Sequence, residues 1–333
     1  NDNSTTGDLL ATAVGDNRNT GKSPGQPMAS LAALVAAYDL DAGDIIHVDA
    51  GSYGLVRNVV LGSQDSGVRI EGPALGSAVL NRGNTNSGSY VVELADADDV
   101  TISRLTLTGG QYGVYASNSA DSDRFRLENS MVTGNSANIY IDYSNEDAAF
   151  VGNTISNSPG WGIDISGERG RVQGNDVYGN RNGIRAFTYS NVTLANRIEI
   201  TGNLVHHNSE QGISASTWSS STSESVWVAN NSVWGHTSSN ATGIVAYHAT
   251  IESNEVFDNY LGINSGAYST SRIAGNRVYR NATTGIRGYT QTAIVGNTVY
   301  SNSIGIEGEY YTVFYGEITN NLVYANSNQG IRV

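Results

Sequence analysis

A phrase of about two dozen residues returns along the second half of the chain, most clearly at Ile294–Ile306 (IVGNTVYSNSIGI), and it restricts the possible folds more than any other feature. Aligned on their first asparagine, the copies fall at Asn129, Asn153, Asn175, Asn203, Asn231, Asn254, Asn276, Asn297 and Asn321, spaced by 21 to 28 residues. A second asparagine follows at Asn135, Asn157, Asn180, Asn208, Asn259, Asn281, Asn302 and Asn326, and only the copy around His236 breaks this register. A Gly-Ile step closes the copies at Gly162, Gly183, Gly212, Gly243, Gly262, Gly285, Gly305 and Gly330. Within a copy the apolar runs are short, alternate with polar residues and are rich in Val and Ile, so they read as strands. No copy can bury its apolar face alone. Stacking buries a continuous core, with strands about 4.8 Å apart along the axis. Asparagine and glycine mark the corners, where positive φ is cheap for Gly and tolerated by Asn.

This pattern resembles the right-handed parallel β-helix repeats of the pectin-lyase-like superfamily. The resemblance implies an all-β, single-stranded right-handed parallel β-helix with three short sheets per turn and internal asparagine ladders. Residues 1–54 read as an entry segment with a short capping helix, and residues 55–333 as the β-helix. Pro27–Tyr38 carries apolar residues at helical spacing and opens on a proline, which suits a first helical turn. Asp41–Tyr53 follows as a strand and a turn. This segment looks like the entry of many extracellular β-helix proteins, where a helix plugs the open end of the core, so a secreted or cell-surface location is expected. The last residues, Gly330–Val333, stop in mid-rung without a polar cap, so the expectation is a module of a larger chain with neighbouring domains, or an end covered by a partner.

Composition narrows the partners. A net charge of −13 argues against nucleic acid, because phosphate binding needs a basic face. No apolar run is long enough to span a membrane. With no cysteine, disulfides and thiolate metal sites drop out.

Side chains alternate after each Gly-Ile step, so one outward column reads Tyr140, Asp164, Arg185, Ser214, Val245, Asn264, Arg287, Glu307. The next reads Asp142, Ser166, Phe187, Ser216, Tyr247, Gly266, Tyr289, Glu309, with Tyr189, Trp218, His248, Tyr268 and Tyr310 just beyond. Aromatic faces cover the apolar faces of sugars, and charged groups bind hydroxyls or carboxylates, so this strip is furnished for a polysaccharide. Phe187, Tyr189, Trp218, Tyr268, Tyr289, Arg287, Glu307 and Tyr310 are the candidate binding residues. The plainer alternative is tyrosines stacking from rung to rung on a solvated sheet. A second aromatic column, Tyr178, His206, Trp234, Phe257, Tyr279, Tyr300 and Tyr324, is so regular that it reads as structural stacking. His206 and His207, adjacent on a strand, are expected to face opposite ways.

Asp142, Asp164, Glu168 and Arg185, with Tyr247 and His248, are the candidate catalytic groups. Paired carboxylates serve acid–base hydrolysis, and an arginine or tyrosine beside a neutralised uronate supports proton abstraction. The alternative is solvated charge ladders of little energetic worth. GWGIDISGE at Gly160–Glu168 is similar in outline to the mannuronan-epimerase motif, with Asp164 as the matching residue. The polygalacturonase motifs do not occur, and a lysine-base lyase is excluded because the sole lysine, Lys22, lies in the entry segment. At one corner Asp98, Asp99, Asp123 and Asp147 recur from rung to rung; Ca²⁺ would relieve their repulsion, as would the arginines Arg124, Arg126 and Arg169. Three functions follow: a polysaccharide-binding module, a lyase, epimerase or hydrolase working in the same groove, or a structural spacer or adhesin segment.

Overall fold

Every rung folds as three short parallel strands because none of its apolar runs is long enough for more. The computed structural model describes residues 1–189, 193–218, 225–267, 269–308 and 314–333. The chain divides into two compact units, Asn1–Gly160 and Trp161–Val333.

In the first unit, one sheet is built from Ile45–His47, Arg69–Glu71, Thr101–Ser103, Arg126–Glu128 and Ala149–Val151. Its inward column, Ile46, Ile70, Ile102, Leu127 and Phe150, is buried and in register. A second sheet holds Gly51–Gly54, Ala78–Asn84, Leu105–Gly110, Met131–Thr133 and Thr154–Ser156, and a third holds Val59–Gly62, Tyr90–Ala95, Tyr112–Ala116 and Ala137–Ile141. The entry helix is shorter than the 27–38 expected, running Leu31–Ala37. Its N-cap is Ser30, whose side chain accepts from the Ala33 N–H, so Pro27 lies outside the first turn. Pro27 instead offers its carbonyl to the Asp16 N–H and the Asn19 side chain. The helix buries Leu31, Ala32 and Val35, and Arg57 donates to the Ala32 carbonyl.

Among the described residues of the second unit the three sheets have seven, seven and eight strands, all parallel. The third sheet, Trp161–Ser166, Asn182–Thr188, Gln211–Thr217, Thr242–Tyr247, Leu261–Ser265, Thr284–Gly288, Ile304–Gly308 and Gln329–Arg332, carries the outward columns read from the sequence. Its inward column, Ile163, Ile184, Ile213, Ile244, Ile263, Ile286 and Ile306, has no exposed surface. Burying each isoleucine in such a column is worth about 2 kcal/mol, and no rung attains it alone.

Two asparagine ladders run through this unit. In one, Asn175, Asn203, Asn231, Asn254, Asn276 and Asn297 each donate to the next member's Oδ1 at 2.9–3.0 Å. Each amide is buried, so every rung must supply a partner for its neighbours. The second ladder passes through His236, which does not break it. Fully buried, His236 takes the asparagine's place, with Nδ1 2.8 Å from Asn259 Oδ1 and Nε2 3.3 Å from Asn208 Nδ2. That pattern requires a neutral ring protonated on Nδ1.

Two asparagines of the first unit are shifted by one place from the sequence alignment. Ser130, not Asn129, meets Asn153, and Ser158 is buried while Asn157 is exposed. Asn129 and Asn157 occupy the positive-φ corner instead, at φ 47° and 56°. The glycines of the Gly-Ile steps are not corners either. A Cβ at Gly243 would lie 2.8 Å from the Gly262 carbonyl, so close rung contact excludes a side chain there.

Candidate functional site

On the outer face of the third sheet in the second unit, strand register places Asp164, Arg185, Ser214, Val245, Asn264, Arg287, Glu307 and Arg332 side by side. The charged members pair among themselves. Arg185 Nε lies 2.6 Å from Asp164 Oδ1, and the guanidinium sits 5.6 Å from the Trp161 ring. Glu307, only 2% exposed, accepts from Arg287 Nε at 2.8 Å, from Thr284 Oγ1 at 3.1 Å and from Arg332. Burial works to raise the Glu307 pKa, but donation by Arg332 and Arg287 outweighs it, and the carboxyl lies below its usual value. Glu307 therefore orients two arginines rather than presenting itself to a ligand.

Between these charged ends the described residues of the strip are uncharged, with Ser214, Ser216 and Asn264 around the aromatic residues. Trp218 is 79% exposed and makes no ring contact among the described residues. Phe187 meets Tyr189 edge to face at 4.6 Å, and Tyr189 is exposed. Tyr247 lies across the next rung, where a Cβ at Gly266 would fall 1.6 Å from its ring. The glycine at 266 is therefore what gives the Tyr247 ring its seat. Tyr289 is half-buried, its N–H donating to Ser265 Oγ. Asn264 Oδ1 is buried without a hydrogen-bond partner among the described residues. Tyr268 and Tyr310 lie outside the described residues.

The candidate catalytic groups are each held by neighbours. Asp142, in the first unit, accepts from the Tyr140 hydroxyl and the Tyr143 N–H, both at 2.8 Å. Asp164, Glu168, Arg185, Tyr247 and His248 belong to the second unit. Asp164 is 6% exposed under Arg185, and Glu168 accepts from Asn196 Nδ2 at 2.9 Å with Arg169 3.5 Å away. His248 occupies a positive-φ corner, with Nδ1 2.9 Å from Thr270 Oγ1, and burial lowers its pKa. Burial raises the pKa of two carboxyls of the first unit, Asp65, which accepts from the Gly62 N–H at 2.9 Å, and Asp123.

At the acidic corner, register sets Arg124, not Asp123, level with Asp99 and Asp147. Arg124 Nε lies 2.7 Å from Asp99 Oδ1, and its Nη2 reaches Asp99 Oδ2 and Asp98 Oδ2 at 2.9 and 3.0 Å. Asp98 Oδ1 takes the Asp123 N–H, and Asp123 Oδ1 takes the Glu146 N–H. Arg124 thus neutralises Asp98 and Asp99, two of the four carboxylates at this corner. Among the described residues no group of three or more His, Asp or Glu is arranged for a metal.

The aromatic column on the second sheet stacks as expected. From Tyr178 to Tyr324 its rings lie 4.5–5.6 Å apart and 4–16° from parallel. His206 and His207, expected on opposite faces, bring their Nδ1 atoms within 2.8 Å, because His207 leaves the strand at φ 51°. A cluster absent from the sequence reading occupies the third sheet of the first unit. Tyr115 stacks 4.1 Å from Tyr90 and 5.6 Å from Tyr140, with Tyr112 tilted alongside. Burial and the neighbouring Tyr115 push the Tyr90 hydroxyl up to about 12.

Residues 90–250 match the family model described as a right handed beta helix region. No curated protein sequence matches the chain. Among solved structures, the A-module of mannuronan C-5 epimerase AlgE4 from Azotobacter vinelandii aligns with a TM-score of 0.67 at 14% identity, over 87% of this chain and 89% of that one. The Dettilon tailspike protein aligns with a TM-score of 0.60 at 12% identity, over 86% of this chain and 61% of that one. Pectate lyase Pel9A aligns with a TM-score of 0.51 at 16% identity, over 94% and 77%. At these identities the likeness establishes a shared fold, the right-handed parallel β-helix. Among the described residues no helix is long and apolar enough to cross a membrane.

Proposed function

We propose that this right-handed parallel β-helix protein is a carbohydrate-recognition module that holds a polysaccharide on the third-sheet strip of its second unit, outside the cell. The observation that carries the reading is Trp218, 79% exposed beside Tyr189 and Tyr247, on a strip whose central polar groups are Ser214, Ser216 and Asn264. Exposed indole and phenol faces stack on the C–H faces of sugars, and hydroxyl and amide groups take their O–H groups. The names of the structural neighbours, an epimerase of mannuronan and a pectate lyase among them, agree with a polysaccharide partner. Binding is favoured over turnover because Asp164 and Glu307 are both held in arginine pairs. The reading needs no metal, so a chelator should leave affinity unchanged.

Affinity-gel electrophoresis against a panel of polysaccharides tests this, with ultraviolet absorbance read for unsaturated products. Retardation of the wild type, lost in Trp218→Ala and Tyr247→Ala without new absorbance, is the expected result. Absorbance that rises and then vanishes in Asp164→Ala would make the protein a lyase. Mobility unaffected by every polymer would leave the chain a structural spacer.

A further inference from the structure

We infer that the strip takes an uncharged sugar chain rather than a polyuronate, an inference that rests on the carbohydrate-binding reading above. Each described cation on the strip is paired with a carboxylate. Arg185 is paired with Asp164, which is 6% exposed, and Arg287 and Arg332 share Glu307, which is 2% exposed. The only lysine, Lys22, belongs to the first unit, where it lies 4.8 Å from the Tyr38 ring. His248 at the edge of the strip has its pKa lowered by burial, and its ring is neutral at pH 7.

What faces a ligand along the middle is therefore Ser214, Ser216, Asn264 and the aromatic rings. Among the described residues, two arginines on one carboxylate leave a single net positive charge at the Glu307 end. A polyuronate carries a charge on every ring. Each carboxylate laid over the middle of the strip would lose water without gaining a counter-charge, and would approach a chain of net charge −13. An uncharged chain meets neither cost, and its hydroxyls can hydrogen-bond to Ser214 and Ser216, which are half-buried on the strip.

Calorimetric titration of wild type and Trp218→Ala decides the point, with mannohexaose, cellohexaose, xylohexaose and galactohexaose as neutral probes and hexamannuronate and hexagalacturonate as anionic ones. The full chain is used at low and physiological salt. Expected is at least one neutral probe bound about tenfold or more tighter than either uronate, with little salt dependence, and weakened about tenfold in Trp218→Ala. A uronate bound as tightly as the best neutral probe, with the same dependence on Trp218, would overturn the inference and leave the carbohydrate reading standing. No binding by either class would overturn that reading itself, and the inference with it. Because Trp218 is exposed, its truncation leaves the fold intact, which a matching thermal melt verifies.

Discussion

Two aromatic surfaces run along the same unit, and they use their rings in opposite ways. On the second sheet, rings from Tyr178 to Tyr324 stack within 4.5–5.6 Å, so each interior ring has both faces covered by its neighbours and shows only its edge to solvent. On the third sheet, Trp218 makes no ring contact among the described residues, and Tyr247 leans over a glycine instead of stacking on a ring. Residue type is similar on both surfaces. What separates a structural ladder from a binding strip is whether ring faces are already taken. The tyrosines of the first unit fall on the ladder side of this divide, because Tyr115 lies stacked between Tyr90 and Tyr140.

The comparison breaks most severely at the joint between the two sheets, where His236 lies between strands Ser232–Trp234 and Thr242–Tyr247. Burial lowers its pKa to about 4, against a raising hydrogen bond donated to Asn259 Oδ1 and with smaller lowering contributions from His207 and His206. The unfolded chain therefore binds the proton at higher pH than the folded one. Stability is full above the unfolded value near 6.5 and is lost as pH falls towards about 4, by on the order of 3 kcal/mol. Denaturant melts between pH 7 and pH 4 should show this loss, and His236→Asn, which keeps the ladder without a titrating ring, should flatten it.

Next in size is Trp234→Ala, which opens a gap between His206 and Phe257. Its half-buried ring makes the expected loss about 2 kcal/mol of stability, read by denaturant titration, with glycan affinity unchanged. Trp218→Ala inverts that result. Affinity should fall about tenfold, roughly 1.4 kcal/mol by calorimetry, while the melting temperature holds. Gly266→Ala is the smallest and most local change. Its methyl would displace the Tyr247 ring and weaken binding by about 1 kcal/mol, with binding by Tyr247→Ala no longer sensitive to the glycine substitution.

Most of the architecture is legible in the sequence because each rung repeats the same local solution. The Val and Ile columns, the asparagine ladders and the stacked aromatics all follow from the period. Where the reading slips, another residue has met the same physical demand. Ser130 and Ser158 serve at ladder positions, and the aligned asparagines Asn129 and Asn157 take the corner beside them. His236 offers one donor and one acceptor, which is what the ladder asks of an asparagine. The acidic corner reads as a cation site, yet a shift of one residue puts Arg124 into it. The tyrosine cluster escapes because rungs before Ser119 lack the Asn and Gly-Ile phases that would align Tyr90 with Tyr112. The strip residues were visible, but the pairing of its arginines and the seat at Gly266 depend on side-chain placement across rungs.

The most direct test of the divide between ladder and strip is fluorine NMR of fluorotryptophan-labelled protein, which reports Trp161, Trp218, Trp227 and Trp234 separately. Titration with the neutral hexasaccharide that binds best should move the Trp218 resonance and leave Trp234 where it is. A shift at Trp234 with Trp218 unmoved would place the sugar on the stacked ladder and contradict the account.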